Sequence, residues 1–464
     1  MEYTLLKSCF SFPKIAFALR TTDTSNHLLF LDRFDKAVRD ALEGILGSPL
    51  TPSQWQQASL PSALGGLGLR SARCHAAAAY LGSLTAAGLL VQDIQQAGQA
   101  QGVQLPSSAQ PENRALLPAP HSSLHLASLR SHTGGDIDEE GGEDIVGSQQ
   151  PDVNPDPLQP PASVAQSLTE HNAQLGDPLT YGEVAALTRR SLSAKIDAES
   201  ARQLLLSQEE EREQARLRCL ARAGAGDWLS AFPSKSLGLH LRRMEFVTAA
   251  RYRLGLPVFQ VEADCPMPRC VRRSDRLGDH AISCGIGGER IARHNHVRDA
   301  LFQTAVTAGL GPVREPDGLL PDSDDRPADL LIPFWSGGRD VALDFTVVNP
   351  LRADLVSKAS EDASSAVQHA HELKSKKYEE RCAAEGFTFL PMAVDTFGGW
   401  HPTALDIIIK LGRQLARNVG KLDEEVVAHL RQRLGILLVR DNVAMLCART
   451  PTFPAAAVDG EDDS

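Results

Sequence analysis

Three cysteines and one histidine stand close together in the chain, at spacings that suit a metal-binding knuckle. Cys265, Cys270, His280 and Cys284 form the pattern C-x4-C-x9-H-x3-C. Structural zinc takes four sulfur or nitrogen ligands in a tetrahedron, and two short-spaced pairs can each close one knuckle of such a site. Four protein ligands leave no coordination position open, so the pattern predicts a structural zinc ion. The alternative is three incidental thiols and a surface histidine.

Two aspartates, Asp329 and Asp344, stand in segments whose pattern is typical of β-strands. In 341–347 the apolar side chains alternate with Ala342, Asp344 and Thr346, which places this acid among small neighbours on the other face. If the strands pair through a turn at 336–338, the two carboxylates can converge on one Mg²⁺ or Mn²⁺ ion. Such an ion polarises a phosphodiester and activates water, so the pattern predicts a metal-dependent nuclease.

The aspartate at position 344 also has a structural explanation. Aspartate is disfavoured in strands, and a buried arginine such as Arg326 or Arg339 could be its partner. Glu315, just after a short predicted strand, is a candidate third acid.

A lysine that neutralises charge on phosphorus is expected near the two acids. The position two residues after the second acid, where many nucleases have this lysine, holds a threonine. The next helix offers His371, Lys374 and Tyr378 on one face, with Lys377 beside them. We therefore take Lys374 and Lys377 as catalytic candidates, with an ordinary solvated helix face as the alternative.

The net charge of −11 is unevenly distributed over the 464 residues. The stretch 112–177 carries −9 and the tail 459–463 carries −4, whereas 269–298 holds seven arginines against three acids. A locally basic surface suits phosphate contacts and points to DNA as a partner, with RNA as a further candidate. The residues predicted to contact nucleic acid are Arg272, Arg273, Arg293, His294, Arg298 and Tyr378.

The order of the predicted elements indicates an α+β multidomain protein. A helical N-terminal region and a small zinc knuckle are followed by a core of order α-β-β-β-α-β. No apolar run reaches the roughly 20 residues that span a bilayer, so we expect an intracellular protein. We further expect a nuclear location. The predicted segments are 1–95 (helical), 96–178 (a disordered, acidic linker), 179–258 (a helical connector), 259–286 (the knuckle), 287–420 (the core) and 421–464 (a helix and acidic tail).

Five motifs of the C-terminal half carry a family resemblance. They are the Cys/His pattern, Arg-His-Asn at 293–295 with Val297, 326–329, 344–347 and 374–378. Together they resemble site-specific non-LTR retrotransposon proteins, in which a CCHC zinc knuckle precedes a restriction-enzyme-like endonuclease of the PD-(D/E)xK superfamily. The resemblance implies that Asp329 and Asp344 bind the catalytic cation and that Lys374 completes the site. The family usually has proline directly before the first acid, where this chain has Ala328.

Upstream segments extend this resemblance. Residues 5–9, 18–21 and 65–70 are similar to the helical thumb or linker segment after the palm of the reverse transcriptases in such elements. No tyrosine is followed by the paired aspartates of a polymerase palm. The resemblance covers 1–95 and 225–420 and implies a truncated element or gene fragment, with target DNA and element RNA as partners and no polymerase activity from this chain alone.

Three functions remain open from the sequence. The leading hypothesis is a Mg²⁺-dependent endonuclease that nicks target DNA. The second is a catalytically inactive, zinc-stabilised nucleic-acid-binding remnant, which the threonine at the usual lysine position favours. The third is a reverse transcriptase subunit that needs another chain for its polymerase.

Overall fold

A computed structural model of the chain describes residues 1–24, 27–100, 162–321, 323 and 325–449. Its described residues divide into two compact units. The first unit comprises Met1–Phe17, Leu28–Arg73 and Ile196–Ser464, and the second comprises Ala18–His27 and Cys74–Lys195. In the described part of the chain, no helix combines the length and the apolar character that crossing a membrane requires.

Helices dominate the described residues before position 254. Thr51 caps one of them through a reciprocal pair of hydrogen bonds with Gln54, and Pro52 occupies its first turn. The helices are α1 (Glu2–Leu5), α2 (Phe12–Thr21), α3 (Leu28–Leu46), α4 (Pro52–Ser59), α5 (Ala72–Ala100), α6 (Ala162–Asn172), α7 (Tyr181–Ala185), α8 (Arg189–Leu206), α9 (Glu211–Leu220) and α10 (Arg243–Arg253). A π-helical turn (Leu6–Phe10) and two 3₁₀ turns (Ser62–Leu64, Asp227–Ser230) complete this set.

The predicted disordered linker, 96–178, receives a partial correction. Residues 101–161 lie outside the described residues. The remainder includes the end of α5 and all of α6, whose residues Val164, Ser167 and His171 are buried. These three positions recur at helical spacing and give α6 a face that packs within the second unit. The polar composition of the segment concealed this short stripe.

After α10 come two short strands, β1 (Ala263–Asp264) and β2 (Arg273–Ser274), and a short helix, α11 (Asp279–Ser283). The C-terminal part of the first unit holds a four-stranded sheet whose strands pair in chain order. Its first two pairings are antiparallel and its last is parallel. The elements are α12 (Glu289–Thr307), β3 (Val313–Arg314), β4 (Leu330–Ser336), β5 (Arg339–Val348), α13 (Val356–Glu361), α14 (Ser365–Ala384), β6 (Thr388–Asp395), α15 (Pro402–Val419) and α16 (Asp423–Ala448). The predicted order α-β-β-β-α-β is confirmed, except that its second helix is divided into two, α13 and α14.

The hairpin and the crossover follow from local rules. Gly337 and Gly338 both have positive φ, which is what a tight turn between right-twisted strands requires, and Ser336 pairs with Arg339 across it. Because β5 and β6 are parallel, the chain must cross over the sheet between them, and α13 and α14 form this crossover.

The alternation predicted for β5 places its side chains on two packed faces. Val341, Leu343 and Phe345 join the core beneath α12, α15 and α16. Ala342 lies on the opposite face and packs with Tyr378 of α14. The face that carries Asp344 is therefore covered by α14.

The last helix, α16, joins two cores within the first unit. Leu430, Leu434 and Leu438 pack into the sheet core. Ile436 and Val439 pack into a second core that includes the N-terminal residues of the same unit. The helical N-terminal region and the α/β core, which were predicted as separate segments, thus both pack against α16.

Candidate metal centre and acidic cluster

The four predicted zinc ligands converge. Their ligand atoms all lie within 4.8 Å of one another. The Sγ atoms of Cys265 and Cys284 are 3.9 Å apart, those of Cys270 and Cys284 are 4.0 Å apart, and Cys270 Sγ lies 3.4 Å from His280 Nε2. Bond lengths of about 2.3 Å to sulfur and 2.0–2.1 Å to nitrogen imply tetrahedral edges of roughly 3.8 and 3.5 Å. The cluster can therefore bind a metal ion such as zinc.

Backbone hydrogen bonds assemble this metal centre from two short elements. Two paired segments, β1 (Ala263–Asp264) and β2 (Arg273–Ser274), form the first knuckle, and Cys265 follows directly after β1. The second knuckle is α11 (Asp279–Ser283), which carries His280 and ends at Cys284. Asp275 accepts hydrogen bonds from the amides of residues 279 and 280 and so fixes the start of α11.

Arg449, just after α16, ties the metal centre to the rest of the first unit. Its guanidinium is fully buried, donates to the carbonyl of Ile286 and forms a 2.9 Å ion pair with Glu289. Burial raises the pKa of the Cys284 thiol, but hydrogen bonds with Ile286 and Arg449 outweigh this effect and leave that pKa below its usual value. An arginine is well suited to balance the excess negative charge of three thiolates around a divalent ion.

Asp329 lies directly before β4 and is held by two donors. The backbone amide of Phe345 donates to Oδ2 at 2.7 Å, and His294 Nε2 lies 3.1 Å from Oδ1. Because residue 345 follows Asp344 in β5, this contact brings the first predicted acid beside the second. The strand pairing predicted through the 336–338 turn therefore places the two acids together.

Asp344 is buried and is paired with Lys374 of α14. The ammonium nitrogen lies 2.9 Å from Oδ2 and 3.1 Å from Oδ1, and only the contact with Oδ1 has hydrogen-bond geometry. Oδ2 is buried and has no hydrogen-bond donor. A buried carboxylate oxygen without a donor is uncommon, because the lost hydration is not replaced.

The charges around Asp344 explain its proton affinity. Burial raises the pKa of its carboxyl to about 6, against the opposing effect of the Lys374 ammonium. The negative charge of Asp329 raises it further and His294 lowers it. Asp329, Asp344, Lys374 and His294 thus interact at one place, which is here called the acidic cluster.

The other residues predicted on α14 lie away from Asp344. Lys377 forms an exposed 3.2 Å ion pair with Asp325 and its ammonium lies 4.6 Å from the centre of the Tyr378 ring. The Tyr378 side chain is buried against Phe389. His371, one helical turn before the lysine that pairs with Asp344, stacks on His401 at 3.9 Å. Of the predicted residues on this helix, the acidic cluster includes Lys374 and not Lys377.

The four arginines predicted to contact nucleic acid fall into two groups. Arg272 and Arg273 are exposed beside the metal centre. Arg293 and Arg298 are buried: the first donates to Asn442 Oδ1 at 2.6 Å and the second is paired with Glu315. Phosphates therefore cannot reach Arg293 and Arg298, and the prediction that they contact nucleic acid is wrong. It failed because the spacing of residues along a helix does not reveal which face of α12 packs inward.

Two further residues that were considered beside the acids have other partners in the structure. Arg326, considered as a buried partner for Asp344, instead forms a surface ion pair with Asp317. Glu315, considered as a third acid, is engaged by Arg298. Among the described residues, the four-ligand centre is the one group in which three or more His, Cys, Asp or Glu ligand atoms meet closely enough to hold an ion.

The contact between His294 and the first acid was not predicted. His294 was predicted to contact nucleic acid. In the structure its Nε2 atom forms a hydrogen bond with Asp329, 35 positions further along the chain. The Arg-His-Asn motif on a helix ahead of the first acid was the available signal. Comparison with known proteins adds nothing to this geometry: no protein-family model and no curated protein matches the chain.

Proposed function

We propose that this chain is a metal-dependent DNA endonuclease that nicks its target by two-carboxylate, metal-assisted hydrolysis of a phosphodiester bond. The observation that carries the proposal is the buried Asp344 carboxylate, whose Oδ2 lacks a donor beside Asp329 and Lys374. A divalent cation is a suitable partner for such an oxygen, since it can take the place of the absent hydrogen-bond donor.

The roles of the side chains follow from their chemistry. Asp329 and Asp344 would hold Mg²⁺ or Mn²⁺, hard ions that prefer carboxylate oxygens. When bound, such an ion polarises the phosphate and lowers the pKa of a water molecule. Lys374, about one third exposed, is close enough to the acids to orient that water or to neutralise charge developing on the phosphate.

The metal centre is proposed to hold a structural zinc ion. Three sulfurs and one imidazole form the closed donor set that zinc prefers, with no position left for a reacting water. Zinc would then hold the knuckle rigid, with Arg272 and Arg273 exposed on it toward the phosphates of DNA.

The finer fold and the family also belong to the proposal. A sheet with two antiparallel pairings and one parallel pairing, in the order α-β-β-β-α-β, supports a restriction-endonuclease-like core. The resemblance to non-LTR retrotransposon proteins is proposed on the motifs given above. It carries with it a nuclear location and element RNA as a second partner.

The test is plasmid nicking by the full chain loaded with zinc. Supercoiled plasmid with Mg²⁺ or Mn²⁺ should yield open-circular product, and Asp344→Asn should reduce the rate by at least about 100-fold because one cation ligand is lost. Asp317→Asn is the matched control, since this aspartate is exposed and ion-paired with Arg326 away from the acids. Undiminished nicking by Asp344→Asn would refute the assigned site.

One observation favours a second function, a zinc-stabilised nucleic-acid-binding protein without catalysis. Lys374 already neutralises much of the charge on Asp344, so the pair is stable without a cation. This function predicts DNA binding that weakens steeply with salt and no cleavage with any divalent cation.

A further inference from the structure

His294 stands at the edge of the acidic cluster in a defined orientation. Its Nε2 lies 3.1 Å from Asp329 Oδ1, and its ring meets the ring of Phe345 edge-on at 6.5 Å. About one quarter of its side chain is exposed, so the ring borders the cluster without being enclosed by it. The same α12 face carries Arg298, one turn further on, which is drawn to Glu315.

The two donors on Asp329 constrain its carboxylate fully. Phe345 occupies one oxygen through its backbone amide, and a backbone donor cannot rotate away. His294 occupies the other oxygen. A carboxylate accepts only, so Nε2 carries the proton of this hydrogen bond. With one donor on each oxygen, the remaining lone pairs of Asp329 have a single orientation available.

We propose that His294 is a positioning residue, which orients the Asp329 carboxylate toward the cation shared with Asp344 and does not contact nucleic acid. The inference rests on the proposed function, because it concerns the cation of that site. Residues that donate to a metal-ligating carboxylate or imidazole commonly change metal affinity by about 10–100-fold when removed.

The chain offers a matched control on the same helix. His296, two positions further along, forms a 2.8 Å contact through Nδ1 with Asp441 of α16. This histidine is more than half exposed and its partner belongs to a different helix. A histidine–aspartate contact on α12 can therefore be removed without altering Asp329.

The experiment measures Mn²⁺ binding to the full chain with zinc in place, from the electron paramagnetic resonance signal of free Mn²⁺. His294→Leu should weaken binding 10–100-fold, whereas His294→Gln, which retains an N–H donor, should stay within a few-fold of wild type. His296→Leu should bind as wild type does. Zinc content and circular dichroism establish that each variant is folded, which separates lost positioning from lost structure.

The outcomes separate this inference from the proposed function. If wild type binds no Mn²⁺, or if Asp344→Asn binds it equally well, the acidic cluster is not a cation site and both ideas fall. If Asp344→Asn abolishes binding while His294→Leu binds like wild type, only the positioning role is overturned. The role is likewise overturned if His294→Gln is as weak as His294→Leu, because the N–H donor is then not what matters.

Discussion

The metal centre and the acidic cluster both hold like-charged side chains close together, but they do so in different ways. At the metal centre, three pairs of ligand atoms lie 3.4–4.0 Å apart, and Arg449 at Cys284 is the cationic side chain beside them. In the acidic cluster, the Lys374 ammonium is paired with Asp344 and the His294 ring is hydrogen-bonded to Asp329. We therefore expect the first arrangement to depend more strongly on a bound ion than the second.

This difference assigns different roles to the two metals. Thiolates that are not bound to an ion would repel one another or remain protonated, so metal binding at the knuckle is coupled to its folding. Asp344 already has a cationic partner in Lys374, and an ion that binds there would compete with it. We therefore expect a tightly bound ion at the knuckle and an exchangeable one at the acids.

The largest expected effect comes from removing a knuckle ligand. Cys284→Ser should release the metal and destabilise the knuckle, α11 and the contact with Arg449, by more than the roughly 4–5 kcal/mol of an exceptional single substitution. Metal content by elemental analysis and urea unfolding measure this. Cys9→Ser is the control, since Cys9 is an exposed cysteine outside the centre. Equal metal content and stability in both variants would remove the contrast between the two sites.

The next effect tests whether the acidic cluster is stable through its own lysine. Lys374→Met leaves the Asp344 carboxylate without its counter-charge and should cost about 1–3 kcal/mol, since the lysine is one third exposed. Urea unfolding at neutral pH measures it, and added Mn²⁺ should restore part of the loss. Lys410→Met removes an exposed ion pair with Asp406 and should be nearly neutral. A loss no greater than that of this control would contradict a self-neutralised cluster.

The sequence could predict these sites to the extent that their parts are local. The knuckle ligands span 20 positions and each pair closes through a single turn, so their spacing alone indicates their convergence. Asp344 was recognisable because strand alternation fixes its face, and the glycine turn then brings Asp329 to it. The order of helices and strands could be predicted for the same reason, because hydrophobic periodicity is a local property of the chain.

The parts that sequence reasoning missed depend on distant packing. Arg293 was predicted to be a surface cation, but it is buried and donates a hydrogen bond to Asn442, 149 positions away. Lys377 and Lys374 differ by one helical turn, and only the packing of α14 on the sheet decides which of them meets Asp344. Hydrophobic periodicity predicts that a helix has an apolar and a polar face, but it does not predict which residues each face will contact.

The stacked histidine pair His371 and His401 gives a smaller, pH-dependent effect. Burial, and then the neighbouring ring of His371, lower the pKa of His401 from 6.5 to about 4. Between these values the unfolded chain binds a proton that the folded chain does not, so stability is complete above pH 6.5 and is lost as the pH falls toward 4. The loss should be about 1–2 kcal/mol, below the full value of the shift because solvent screens the ring in part.

This pH effect can be isolated with one variant. His401→Asn keeps the cap that the ring nitrogen provides to the amide of Thr403, and it does not titrate. Urea unfolding at pH 7 and at pH 4.5 should show wild type losing stability relative to this variant. Parallel pH curves for the two proteins would show that acid acts elsewhere, through the ligands of the metal centre or the carboxylates.

The smallest effect concerns the second lysine and separates it from the first. Lys377 forms an ion pair with Asp325 in which the lysine is about half exposed, and water screens the attraction within such surface pairs. Lys377→Ala should therefore leave the free energy of unfolding nearly unchanged, since Arg381 also binds Asp325. Nicking by this variant should match wild type, whereas Lys374→Met should be defective. A strong defect in Lys377→Ala alone would mean that α14 presents a different face to the substrate than it presents to Asp344, and the contrast between the two lysines would have to be reversed.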